Sequence, residues 1–212
     1  LAGGATTSGN FTYSTQSGDN PAAKLNVSTA NDSTERVVTI KQPPFFDITI
    51  DGVNSTVTEG EQITVDYTVE NTGESQGTQD ITFSVNGTEE NSKSPLTLSE
   101  GDSASDTFTY VTTTGDAPTV QLNISGVDDA ATRTTTVQEP AFFDIIVNNA
   151  NSSVTEGDQI AVDYTVENTG GVQDTQDIDF SVNGTSETTE SSLTLAGGET
   201  VSDTFTYSTT TD

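Results

Sequence analysis

Apolar and polar residues alternate along most of the chain. In 62–71, Ile63, Val65, Tyr67 and Val69 fall on one face, and Thr64, Asp66, Thr68 and Glu70 on the other. A period of two marks a strand with one face buried. Thr is the commonest outward residue, and its branched Cβ suits a pleated surface. No stretch carries a sustained apolar stripe at helical spacing, so the pattern predicts an all-β protein rather than a disordered one. Within 43–139 it predicts seven strands, at 46–51, 61–71, 79–85, about 96–98, 103–112, 118–125 and 131–138. Ile81, Phe83 and Val85 point inward, as do Phe108 and Tyr110, and Val120, Leu122 and Ile124. Asn86-Gly87 supplies the positive-φ residues of a tight hairpin turn. The last strand is Thr-rich and weak, which suits a sheet edge. Short strands with frequent turn signals predict an Ig-like β-sandwich, here without the Ig disulfide or its Trp.

A shift of 97 residues lays the chain on itself without a gap, and 47 of 71 positions agree between 45–115 and 142–212. Val65–Gly73 (VDYTVENTG) returns unchanged at Val162–Gly170, and Phe83–Thr88 at Phe180–Thr185. The phase of this period predicts the C-terminal part of one repeat at 1–42, a complete repeat at 43–139, and the N-terminal part of a third at 140–212. The joints are Lys41-Gln42-Pro43-Pro44 and Gln138-Glu139-Pro140-Ala141. A repeat this strict is expected to continue in further copies, with this chain a mature or excised segment of a longer array. The alternative is completion of the partial units by a neighbouring chain through strand donation.

Ile63–Gly73 (ITVDYTVENTG) resembles the second strand and following turn of CARDB-type domains, the cell-adhesion-related Ig-like repeats of bacterial and archaeal surface proteins. Leu98, Gly101-Asp102 and Phe108 resemble the family's L-x-x-G-[DE]…F lead into its fifth strand. The likeness spans the whole repeat. It implies tandem seven-stranded sandwiches on a cell surface, and the acidic, Thr-rich version is similar to haloarchaeal members. These motifs are structural and imply no chemistry.

Charge changes the picture next. The chain has 33 Asp and Glu against 5 Lys and Arg, a net charge of −28. That excludes phosphate-backbone binding, so no nucleic acid is expected. At 0.1 M salt the Debye length is ~10 Å and repulsion accumulates over the surface, whereas at molar salt it falls to ~3 Å. A protein adapted to very high salt is therefore expected, with salt cations as its solvent partners. There is no Cys or His, which excludes zinc fingers, haem ligands, cysteine nucleophiles and Ser-His-Asp triads. No apolar run is long enough for a membrane span.

Eight N-x-[ST] sequons occur. Asn26 and Asn123 lie on the outward phase of a strand, and Asn54 and Asn151 in a polar turn. These four are the candidate carriers of N-linked glycans, whereas Asn86 and Asn183 are better explained as hairpin-turn residues. Carboxylates cluster at Glu59/Glu61, Glu156/Asp158, Asp128/Asp129 and Asp177/Asp179, and oxygen ligands suit Ca²⁺. No D-x-[DN]-x-[DN]-G loop accompanies them, so a solvated acidic face is the reading adopted and no cofactor is assigned. Paired carboxylates are also the residues of glycosidases, but nothing singles one pair out, and no enzyme is expected. Lys–Asn isopeptide staples are not expected either, because Lys24, Lys41 and Lys93 become Gln121, Gln138 and Glu190 one repeat on. Phe45 and Phe142 are out of phase with the inward Phe46 and Phe143 and follow the proline joints. They are expected to pack on the preceding unit and fix the inter-domain angle.

The function these features predict is structural. The chain is an extracellular or surface repeat protein forming a stalk, fibre or adhesive filament in high salt, with copies of itself as partners. The alternative is a spacer or binding module of a larger glycan- or protein-binding adhesin. The variable stretches, 74–77 and 89–95 against their copies, are polar and carry no exposed aromatic cluster.

Overall fold

The computed structural model describes residues 2–210. Among them there are fifteen β-strands and no helix. The N-terminal part contributes one antiparallel hairpin, β1 (Ala22–Ser28) and β2 (Ser33–Thr39). The middle repeat contains β3 (Phe46–Val53), β4 (Thr56–Thr58), β5 (Gln62–Asn71), β6 (Gly77–Val85), β7 (Thr88–Leu98), β8 (Ser103–Val111), β9 (Thr119–Ser125) and β10 (Ala130–Gln138). The third part contains β11 (Phe143–Ala150), β12 (Gln159–Asn168), β13 (Asp174–Val182), β14 (Thr185–Leu195) and β15 (Thr200–Ser208).

The middle repeat is a two-sheet sandwich. One sheet has the order β3-β5-β8 and the other β4-β10-β9-β6-β7. The alternation read from sequence is the burial observed: β5 runs exposed-buried with Ile63, Val65 and Val69 fully buried and Tyr67 nearly so. Facing them from the second sheet are Ile81, Phe83, Leu122, Ile124 and Val137. Burying a side chain of this size contributes about 1.5–3 kcal/mol. A stack of three rings joins the layers: Phe108 lies 4.9 Å from Tyr67 and 5.3 Å from Phe83. Asn86 and Gly87 have positive φ, as the hairpin turn requires.

Three details differ from the sequence expectation. The strand expected near 96–98 is the end of an eleven-residue strand, β7, whose residues 88–95 are exposed. It carries no apolar alternation there and is held by pairing with β6, so the pattern had nothing to show. A short eighth strand, β4, buries only Val57 and pairs parallel with β10. β10 consequently lies inside the sheet between β4 and β9, and the weak Thr-rich strand is not an edge. Its Thr135 is fully buried and donates to the Asn54 carbonyl at 2.9 Å, which explains a polar residue at that place.

The third part repeats the first sheet as β11-β12-β15 but has only the pair β13-β14 opposite it. Its ring stack is the same, with Phe205 4.5 Å from Tyr164 and 5.1 Å from Phe180. Its buried core is reduced to Tyr164, Val166, Ile178 and Leu195. The surface reflects the open units: 13482 Å² is exposed, against roughly 9,300 Å² for a compact protein of this mass.

Candidate functional site

The places where one unit meets the next are the candidate site. Each junction centres on a fully buried asparagine at the end of the second strand, Asn71 or Asn168. The Asn71 Oδ1 accepts from the backbone N–H of Phe45 (3.2 Å) and Gly73 (3.1 Å). Its Nδ2 donates to the carbonyls of Ser75 (2.9 Å), Leu98 (3.1 Å) and Ser99 (3.1 Å). One planar amide thus ties the incoming chain, the β5–β6 turn and the end of β7 together. Only an amide offers an acceptor and two donors in one plane; Asp lacks the donors. Asn168 does the same, with Phe142 and Gly170 donating to Oδ1 and Nδ2 donating to Val172 and Leu195.

The next residue completes the clamp. Thr72 N–H donates to the Phe45 carbonyl at 2.8 Å, and Thr169 to that of Phe142 at 2.8 Å. Gly73 and Gly170 lie directly under the incoming chain. A Cβ on Gly73 would stand 2.6 Å from the Pro44 Cα, and one on Gly170 2.7 Å from the Ala141 Cα. Glycine is required there by close approach of two backbones, not by a positive φ. Apolar alternation alone shows Asn71 only as a turn residue; the missed signal is a polar side chain on the inward phase of β5, continuing 63, 65, 67, 69, that recurs at 168.

The two junctions differ in their polar contacts. At the first, Glu74 Oε2 accepts from Asn20 Nδ2 (2.5 Å) and Gln42 N–H (2.9 Å), and Ser75 Oγ donates to the Gln42 carbonyl (2.7 Å). Lys41 pairs with Glu100 at 2.6 Å, but both are more than half exposed, and such pairs contribute little. At the second, glycines replace both acids. Gly171 N–H donates to the Glu139 carbonyl at 2.9 Å, and Gln138 Nε2 donates to the Gly171 carbonyl at 3.1 Å. A Cβ on Gly197 would lie 2.6 Å from Gly171. The backbones of Phe45 and Phe142 are therefore bound within their own units. As whole residues they are 45% and 65% exposed.

The other predicted site residues are distributed over the surface. Asn26 on β1 is exposed, and Asn123 on β9 is partly buried with Nδ2 3.4 Å from Ser84 Oγ. Asn54 and Asn151 are exposed, and each accepts a backbone N–H through Oδ1, from Thr64 (2.7 Å) and Ala161 (2.6 Å). Their amide nitrogens, where a glycan attaches, make no hydrogen bond among the described residues.

The carboxylate clusters serve as backbone acceptors. Glu59 accepts from Gly115 N–H and Asp177 from Ser192 N–H. Asp128 and Asp129 accept from Phe46 and Ile48 N–H, at 3.2 and 2.9 Å. The N–H groups of Ile48 and Ala130 hold the Asp129 carboxyl below its usual range. No group of three or more acidic residues positioned to hold a metal ion occurs among the described residues. No helix there is long and apolar enough to cross a membrane.

The CARDB family model matches residues 44–133. A crystal structure of a CARDB domain from Pyrococcus furiosus in complex with di-metal ions is 16% identical, over 47% of this chain and 97% of that one, with a TM-score of 0.42. A solution NMR structure of a CARDB domain from the same organism is 17% identical, over 45% and 96%, with a TM-score of 0.41. A β-glucosidase from Listeria innocua in complex with glucose is 12% identical, with a TM-score of 0.39; the match covers 44% of this chain but 16% of the enzyme. No curated protein matches the chain.

Proposed function

Taking residues 44–133 as a CARDB domain, an Ig-like module without catalytic function that occurs in surface and extracellular proteins, we propose that this chain is a load-bearing section of an extracellular stalk or filament. Its units are 1–42, 43–139 and 140–212, and it works in high salt. The observation that carries the reading is the paired clamp. Asn71 and Asn168 each hold the residue after a proline joint, through the same acceptor, at 3.2 Å. A joint in which the chain leaving one unit is bonded at once to the next has little freedom to swing, and short stiff joints make an array a spacer. The −28 charge supports the salt requirement. N-linked glycans on Asn54 and Asn151, and on Asn26 and Asn123, would add a hydrated coat without entering a core. Phe45 and Phe142 contribute to the joint through their bound backbone.

Small-angle scattering of dilute protein in molar KCl tests the reading. A rod-like profile is expected, broadened when Glu74→Ala removes the acceptor for Asn20 and Gln42. A flexible-chain profile for the unaltered protein overturns it. The glycan assignment predicts that native material has an intact mass above that of the peptide.

A further inference from the structure

Two stretches of the middle unit run side by side from one end of the sandwich to the other. The incoming chain, 46–59, passes through β3 and β4, and the outgoing chain, 128–138, runs in the same direction through β10. Five hydrogen bonds join them, in the same order along both stretches. Asp128 Oδ2 accepts from the Phe46 N–H (3.2 Å) and Asp129 Oδ2 from the Ile48 N–H (2.9 Å). Thr135 Oγ1 donates to the Asn54 carbonyl (2.9 Å), and the Thr136 N–H to the Ser55 carbonyl (3.1 Å). The Glu59 N–H donates to the Gln138 carbonyl (2.9 Å). The first two bonds use side chains because β3 and β10 belong to different sheets, and no backbone ladder joins them. The other three surround β4–β10, the one parallel strand pair among the described residues. Val57 and Val137 are paired inside that ladder and both are buried.

The direction of this seam decides how it responds to tension. Because the two stretches advance together, the chain enters at Phe45 at one end of the unit and leaves at Glu139 at the other, roughly 30 Å away by the length of β10. Pulling on those two points draws 46–59 and 128–138 past each other along their own axes. The bonds between them lie across the pull and are loaded together, in shear. Antiparallel terminal strands would put both exits at one end, and the bonds would open one at a time. Neither terminal stretch can leave without parting the seam: 46–58 is held otherwise only by β5, and β10 only by β9.

We propose that this parallel seam is a force-bearing latch, which resists extension of the unit when tension is applied along the array. Its use rests on the load-bearing reading above, but the seam lies wholly within 43–139. Forced unfolding is governed by the unfolding rate, so the bonds that part first matter more under tension than their share of equilibrium stability. Core residues away from the seam act later. Ile81 is fully buried on β6, which β9 separates from β10. Its contacts are lost only after the latch has opened.

The chain has no cysteine, so Gln42→Cys and Glu139→Cys, both at exposed positions, attach handles across the middle unit of the full chain. Optical tweezers in molar KCl then read its unfolding rate at constant force. Glu59 is the second residue of the 58–61 turn, in which the Glu61 N–H donates to the Thr58 carbonyl and Gly60 has a φ of 89°. Proline suits that position. Glu59→Pro therefore removes the bond to Gln138 and keeps the turn, whereas Glu59→Ala keeps the bond and removes only the carboxylate. Glu59→Pro is expected to unfold about fivefold faster under force than Glu59→Ala. Ile81→Val should lower the urea midpoint and leave the rate under force unchanged. Equal rates for the two Glu59 variants overturn the latch, as does an Ile81→Val rate that rises in step with its loss of stability. Should proline prevent folding, Thr135→Val against the parent decides in the same way, with a rise of about fivefold expected and an unchanged rate overturning the proposal. These failures would leave rod-like scattering intact, and a flexible-chain profile with a force-resistant seam would overturn the stalk and not the latch.

Discussion

The phenol of Tyr164 donates to the Glu190 carboxylate at 2.6 Å, whereas that of Tyr67, its counterpart one repeat earlier, is buried without a partner among the described residues. Lys93 stands where Glu190 does, and it pairs instead with Asp106, which faces Tyr67 across the β5–β8 ladder. A buried donor without a partner costs stability, and its removal can be neutral or favourable. Tyr67→Phe is therefore expected to leave the middle unit unchanged or to stabilise it by up to about 1 kcal/mol, while Tyr164→Phe costs about 1 kcal/mol. Urea unfolding in molar KCl reads both, and equal losses would contradict the assignment.

The same tyrosine sets an alkaline limit. Burial, with the Asp106 charge adding to it, pushes the Tyr67 phenol up to about 12. The neutral phenol is thus favoured in the folded state. Its contribution to stability is fully present below the ordinary phenol value of about 10 and is lost as pH rises from there through about 12. Thermal unfolding midpoints should fall across this window, and the fall should be smaller in Tyr67→Phe. An identical fall in that variant would remove Tyr67 as the cause.

Acid acts in two opposed ways. The Lys93 ammonium, then the Thr107 N–H, hold the Asp106 carboxyl below its usual range, as the Ile48 and Ala130 N–H groups do for Asp129. The stability from these bonds is present above the unfolded carboxyl value of about 3.9 and is lost as pH falls below it. Protonating the other carboxylates relieves repulsion, which matters only when salt is low. At low salt, stability should first rise as the pH drops toward about 4.5 and then fall; in molar KCl only the fall should remain. Circular dichroism melts at the two salt levels check this, and a low-salt profile without the rise would show that net charge is not limiting.

The sandwich core was legible because Val, Ile, Phe and Tyr alternate with Thr and Asp. Val65, Phe83 and Leu122 lie fully buried where the period put them. β7 was not, since backbone pairing alone keeps 88–95 extended and leaves no mark on side-chain type. The edge at β10 was misassigned because Thr135 looks exposed until Asn54 is brought to it by the parallel strand β4. At the junctions the proline joints point to Phe45 and Phe142, which are 45% and 65% exposed. The groups that hold the joint, Asn71, Gly73 and the Phe45 backbone, act through hydrogen bonds and close approach, and hydropathy does not register either.

Asn71 gives the sharpest test of that account. Its amide is fully buried and binds five backbone groups drawn from the incoming chain, the β5–β6 turn and the region after β7. Asn71→Ala leaves those groups short of partners, at a cost of about 3 kcal/mol or more. Asn71→Asp keeps the shape and the acceptor for Phe45 and Gly73 but sets a carboxylate oxygen against the Ser75, Leu98 and Ser99 carbonyls. That variant should be at least as damaging as alanine at neutral pH and should recover as the pH falls and the carboxyl gains a proton, the reverse of the acid loss expected for the unaltered chain. Urea melts of the two variants in molar KCl at pH 7 and pH 4 separate the cases. An aspartate variant as stable as the parent at neutral pH would mean that the amide donors do not hold the junction.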